Sequence, residues 1–105
     1  MGQKTAKLTG PALDWAVATA NGDKIIWAEE DWHWYSTDWA VGGPIIEREK
    51  IGIVPSDDDA NVWIGSMLEP EWKFNRTGPT PLIAAMRCYV AYHLGEDVGI
   101  PEELK

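Results

Sequence analysis

The chain has 105 residues, enough for a single domain spanning 1–105 with one hydrophobic core and too few for two. Nine basic against seventeen acidic residues give a net charge of −8, which opposes direct nucleic-acid binding by repulsion and makes a basic partner easier. One cysteine, Cys88, excludes an internal disulfide, and no apolar run approaches the roughly 18 residues that span a bilayer, so the reading is a cytoplasmic protein without a membrane partner. The N-terminus also lacks the apolar run of a secretory signal. Seven Trp, three Tyr and one Phe are a heavy aromatic load, and because an indole N–H wants a partner, some rings are expected at partly wet sites that suit a ligand.

In chain order, Thr9 and Gly10-Pro11 read as the entry to a first helix. Leu13, Ala16, Val17 and Ala20 follow at helical spacing, and Asn21-Gly22 is the stop. Asp14 is placed in its first turn, where the helix dipole favours a carboxylate. Lys24 to Ala28 is a brief β-rich apolar run and reads as a strand. Trp32-His33-Trp34-Tyr35 puts aromatic rings on both faces of an extended segment. Gly42-Gly43 is expected to break the next stretch, with Pro44 opening a single helical turn. For residues 44–50 helix and strand both stay open, and Ile51 and Ile53 alternate around Gly52 as a strand. Pro55 to Asn61 is a polar loop. Its Asp57, Asp59 and Asn61 mimic the start of a calcium loop, but Val62 and Leu68 stand where that loop needs Gly and Glu, so calcium is rejected. Val62 to Ile64 is a short strand, and residues 69–74 an irregular or edge segment.

The segment from Thr77 to Gly95 carries start signal, apolar stripe and stop signal together. Thr80 is the expected cap, Pro81 fits the first helical position, and Gly95 can end the helix in a left-handed conformation. Leu82, Met86, Tyr89 and His93 form one apolar face, flanked by Ile83, Val90 and Leu94. Ala84, Ala85 and Ala91 are small enough for another element to approach closely, which makes this the central core helix. The tail from Val98 onward is a docked extended stretch, since Pro101 stops a helix.

Two motifs carry a resemblance: Y-S-T-D-W-A-x-G-G-P-I-I at residues 35–46, followed by Ile51 and Ile53, and G-P-T-P-L-I-A-A-M-R at 78–87. In this order they resemble the NinX-type small proteins of lambdoid phages and prophages, a family of unknown function. The resemblance runs from the first helix to Leu104. It departs at Thr80-Pro81, where relatives carry Asn-Pro, a mild change because Thr and Asn both cap helices. It implies a phage accessory protein working in a bacterial host cytoplasm and carries over no catalytic residue.

Each candidate binding residue has a bland and a functional reading. Trp32, Trp34, Tyr35 and Trp39 are core and rim packing or a stacking platform for a planar ligand, where a base on a ring is worth roughly 1–3 kcal/mol. Asp38 caps its own turn or accepts from a base edge or ribose hydroxyl. Arg48, Arg76 and Arg87 neutralise local acid; for Arg76 the sharper reading is that Arg76-Thr77-Gly78 leads to a helix start where a phosphate could be held. His33, His93 and Cys88 lack metal-ligand spacing, and neither catalytic motif nor recognisable nucleophile appears, so a non-enzyme without cofactor is expected.

These readings give an α+β fold: a small, mostly antiparallel sheet packed against a central C-terminal helix and a shorter N-terminal helix. Two functions follow. One is a non-catalytic phage accessory protein, with an anti-defence role among its uses, that sequesters a nucleotide-like small molecule through an aromatic pocket formed by Trp32, Tyr35, Asp38, Trp39, Arg76, Thr77 and Arg87. The other is an acidic inhibitor whose runs Glu29–Asp31 and Asp57–Asp59 occupy a basic surface of a host nucleic-acid enzyme. A homo-oligomer fits either.

Overall fold

The computed structural model describes residues 3–22, 34–67 and 75–100. The expected strand at 24–28, together with Trp32, His33, the acidic run Glu29–Asp31, the segment 69–74 and the tail beyond Ile100, lies outside them. In order, β1 is Gln3–Lys4, α1 Gly10–Ala20, α2 Trp39–Glu49, β2 Gly52–Pro55, β3 Trp63–Ser66, β4 Arg76–Gly78, α3 Pro81–Leu94 and β5 Asp97–Val98, with a 3-10 turn at Thr5–Lys7. The fold is α+β. Strands β2, β3 and β4 form an antiparallel sheet in that order, with Val54 opposite Ile64 and Ile64 opposite Thr77. β1 and β5 make a separate two-stranded antiparallel pair, Gln3 facing Val98 and Lys4 facing Asp97.

Helix α3 is the shared partner of the sheet, α1 and α2. Its start follows the sequence: the Thr80 hydroxyl accepts from Ile83 N at 3.1 Å, and Pro81 occupies the first turn, where no intrahelical N–H is required. Its end is Gly95, at φ 89° and ψ −169°, a positive φ outside the left-handed helical basin. Leu82 and Ala84 to Ala91 are all buried, so α3 is enclosed well beyond a single stripe. The sheet lies so close that a Cβ added at Gly65 would stand 2.5 Å from Ala84 O, and one at Gly78 2.8 Å from Ala84 N. Glycine in the strands and alanine in the helix together permit this approach. His93, expected on the apolar face, is exposed at the helix end.

Helix α1 begins after Thr9, whose side chain makes no capping hydrogen bond among the described residues. Leu13, Ala16 and Val17 are fully buried. Asp14 corrects the first-turn expectation, because it lies a residue beyond that turn, 1 % exposed, with Oδ1 accepting from Ser36 N at 2.8 Å. Its carboxylate ties α1 to the turn at 34–37 and so serves a neighbouring segment rather than its own helix dipole.

The largest correction is α2. Gly42-Gly43 does not break it, and Pro44 lies inside it. The Asp38 side chain caps the helix by accepting from Ala40 N at 2.9 Å, and Lys50 closes it in the left-handed conformation at φ 56°, ψ 47°. Two glycines and an interior proline cost several kcal/mol of helix propensity, with roughly 3 from the proline. The offset is tertiary: a Cβ on Gly42 would stand 2.5 Å from Tyr35 O and 2.8 Å from a Leu82 methyl, and Ile45 is 2 % exposed in the core. Gly42 is therefore a contact residue that lets α2 press on α3 and on the preceding turn.

Candidate functional site

Five of the described basic residues fall into two sets. Arg87, in the middle of α3, is 8 % exposed, and its Nε donates to Leu8 O and its Nη1 to Thr77 O, each at 2.8 Å. One planar guanidinium thus sews the segment before α1 to β4, a span that its fork of donors suits. Burial lowers its pKa from the ordinary arginine value. Arg48, at the end of α2, donates from Nη2 to Asn21 Oδ1 at 2.6 Å and to the Tyr89 hydroxyl at 3.1 Å, and from Nε to Glu49 Oε2 at 2.8 Å. The Tyr89 hydroxyl in turn donates to Asn21 Oδ1 at 3.2 Å. Arg48 holds the Glu49 carboxyl below its ordinary range, and His93 Nε2 lies 3.5 Å from Glu49 Oε1. These groups join the C-terminal ends of α1 and α2 to α3.

The other set faces a cleft. An open concavity of about 670 Å³ lies between the N-terminal segment and the sheet. Lys4, Ala6 and Lys7 form one wall; Ile64 of β3 and Asn75, Arg76 and Thr77 at β4 form another, with Glu96 beside them. Position follows from pairing: β1 is fastened to β5, Thr5 N donates to Glu96 O at 2.9 Å, and Arg87 holds Leu8 against Thr77. Lys4 Nζ pairs with Asp97 at 3.1 Å with both side chains more than half exposed, so the pair is worth little in stability. Lys7 is exposed and makes no ion pair or hydrogen bond among the described residues, while Arg76 Nη1 donates to Asn75 O at 2.7 Å. Asn75 Oδ1 is buried without a hydrogen-bond partner among the described residues. A cleft of this size is within the range that holds small molecules.

Of the residues expected to form one aromatic pocket, the cleft brings two together, and Arg87 reaches one of them through Thr77 O. Arg76 and Thr77 line the cleft; Tyr35, Asp38, Trp39 and Arg87 do not, and Trp32 lies outside the described residues. Tyr35 is 4 % exposed in the core, Asp38 caps α2, and Trp39 is 53 % exposed on the first turn of α2. The phosphate site expected at the start of α3 is partly occupied, since the Thr80 hydroxyl takes Ile83 N and Thr80 O takes Ala84 N. Sequence reasoning missed Lys4, Lys7, Asn75 and Glu96. Two lysines within the first seven residues of an acidic chain were the available signal; their meeting with Arg76 was not, because it spans most of the chain.

Among the described residues no group of three or more His, Cys, Asp or Glu is placed to hold a metal ion, and no helix is long and apolar enough to cross a membrane. Burial pushes the Cys88 thiol up to about 12, which makes it a packing residue rather than a nucleophile. No curated protein matches the chain. The family model described as Bacteriophage P22, NinX matches residues 4–93. The match covers most of the sequence, so the chain belongs to this phage family.

Proposed function

We propose that this NinX-family phage protein is a non-catalytic binder that sequesters a nucleotide-like phosphate ester, in the cleft between the N-terminal segment and β3–β4. The observation that carries the reading is electrostatic. In a chain of net charge −8, Lys4, Lys7 and Arg76 are three of nine basic residues and line one concavity. Local cations in a recess attract a small anion although the whole molecule repels a polyanion, because at physiological salt a charge is screened over about 8 Å. Capture of a host signalling or defence nucleotide in the bacterial cytoplasm is the role that suits such a site. The aromatic stack has no support from the described cleft lining, and Ile64 with Ala6 supplies the apolar contact in its place.

A panel of mono-, di- and cyclic nucleotides tests this by thermal melting and calorimetry. A true ligand at one hundred times its Kd adds about 2.7 kcal/mol of stability. Lys7→Glu should lower its affinity at least tenfold while leaving the ligand-free melting temperature in place. No response to any nucleotide at millimolar concentration overturns the proposal.

The acidic-inhibitor reading keeps one supporting observation: Asp57, Asp58 and Asp59 are all exposed in the loop joining β2 to β3. It expects no nucleotide response. It also expects binding to a basic host protein that weakens steeply with salt and falls when the three aspartates become asparagine.

A further inference from the structure

The sheet of β2, β3 and β4 has one edge closed and one edge open, and the open edge is complementary to itself. Ser56 N donates to Val62 O at 2.9 Å, in register with Val54 opposite Ile64 and Gly52 opposite Ser66. Hydrogen-bonded pairs alternate along an antiparallel ladder, so Gly52, Val54 and Ser56 turn their backbone groups towards β3, while Ile53 and Pro55 turn theirs away. With Ile64 turned to β2, the same alternation points Thr77 O outward from β4, and there Arg87 Nη1 donates to it. On the other side, β3 is the one strand beside β2 among the described residues. An exposed strand edge of this kind is a template for pairing. Its side chains divide likewise: Ile53 packs on the core, and Val54, on the opposite face, is 52 % exposed.

We infer that β2 is a self-pairing edge, along which two copies of the chain join antiparallel about Val54 and continue the sheet through a two-fold axis. In this register Val54 meets Val54 of the second copy, Ile53 N–H donates to Pro55 O across the axis, and the second Ile53 returns the bond. Pro55 has no N–H, which suits an outward position and limits the joint to one bond from each Ile53. Charge selects the register. Lys50 stands four residues before Val54 and Asp58 four after it, both exposed, so each Lys50 lies opposite Asp58 of the other copy. Parallel pairing would set Lys50 beside Lys50 and Asp58 beside Asp58, and antiparallel pairing about Ile53 would set Glu49 opposite Asp57. The net charge of −8 on each copy opposes the meeting, but at physiological salt it is screened over about 8 Å, whereas Lys50 and Asp58 act at close range. A strand of 4 residues with flanking charges makes a small joint, in the transient class below about 1,200 Å², so the dimer is weak and reversible. The cleft lies on the β4 side of the sheet and takes no part in it.

Sedimentation equilibrium from micromolar to millimolar protein at physiological salt tests the inference, with backbone hydrogen exchange as a second readout. The parent should dimerise towards the millimolar end. Its Ile53 amide should gain protection in proportion to the dimer formed, while the Val54 amide, turned to β3 in the monomer already, changes little. Lys50→Glu and Asp58→Lys should each stay monomeric at the same concentration, because each sets like charges together; an equimolar mixture of the two should dimerise, since opposite charges then meet at both ends. Both side chains are exposed, so both variants should melt with the parent. A parent that stays monomeric at millimolar concentration overturns the inference. So does a dimer whose Ile53 amide gains no protection, or whose strength is unchanged in both charge variants, because either result places the contact elsewhere. A mixture of the two variants that stays monomeric overturns the register.

Discussion

The α3 spine and the N-terminal cleft use the same residue types to opposite ends. Around α3 the cations are committed to partners within the fold: buried Arg87 to two backbone carbonyls, and half-exposed Arg48 to Asn21, Tyr89 and Glu49. At the cleft, Lys4 and Lys7 are exposed; Lys4 has one solvent-screened partner, and Lys7 has none among the described residues. The difference separates side chains that hold the fold together from side chains that leave their charge facing solvent. A buried guanidinium with its donors satisfied locks elements together, and removing it leaves carbonyls dry; an exposed ammonium stabilises nothing but keeps its field available.

The contrast breaks most visibly at the spine. Met86 is fully buried in the centre of α3, so Met86→Asp should cost about 4 kcal/mol or more by burying an unpaired charge and losing packing. A variant that melts within a few degrees of the parent would mean that the spine is not a core. Arg87→Ala comes next, at about 3 kcal/mol, since Leu8 O and Thr77 O lose charge-assisted donors. Arg87→Lys should recover less than half of that in urea denaturation, because a single ammonium cannot match the planar fork. Full recovery by lysine would show that charge alone matters there.

Glu49→Gln probes the C-terminal helix junction on a smaller scale, about 0.5 kcal/mol at neutral pH, because Arg48 is half exposed. The sign follows from the lowered folded pKa, caused first by the Arg48 hydrogen bond and set against an ordinary value of 4.5. The stabilisation is present in full above pH 4.5 and is lost as pH falls through the lower folded value. Parent and variant should therefore differ in urea midpoint at pH 7 and converge in stronger acid; a constant difference at all pH values would assign the effect to packing. Smallest of all, Lys7→Gln should leave stability within about 0.5 kcal/mol, as for an ordinary surface site, while weakening the nucleotide capture proposed for the cleft. A large loss of stability at Lys7 would erase the distinction between the two regions.

Much of the spine was legible from local chemistry. Thr80-Pro81 at one end and Gly95 at the other delimit α3 because a capping hydroxyl, a residue without an N–H and a residue without a Cβ act within a turn of where they stand. The alanines of α3 likewise announced a close neighbour, and Gly65 and Gly78 supply it. The sequence reading failed at α2, where local rules and the fold disagree. Gly42, Gly43 and Pro44 argue against a helix, but the close packing of Gly42 on Tyr35 and Leu82 outweighs their propensity. The same limit applies to Arg87, which as a lone cation on an apolar helix signals that it needs partners without saying which.

By itself, then, the sequence determined the α+β class, the central helix with its ends, the polar loop at 56–61 (Pro55, expected in it, closes β2) and the phage family, all of which rest on short-range signals or on motifs read in order. Only the tertiary structure decided that α2 is a helix, that Tyr35 is core while Trp39 is exposed, and that Lys4 and Lys7 meet Arg76 across one cleft. The physical reason is separation along the chain. Caps, stripes and turns are settled by atoms a few residues apart, whereas the cleft is assembled by β1 on β5 and by Arg87 bridging Leu8 to Thr77, contacts whose partners lie far apart in sequence and leave no local mark.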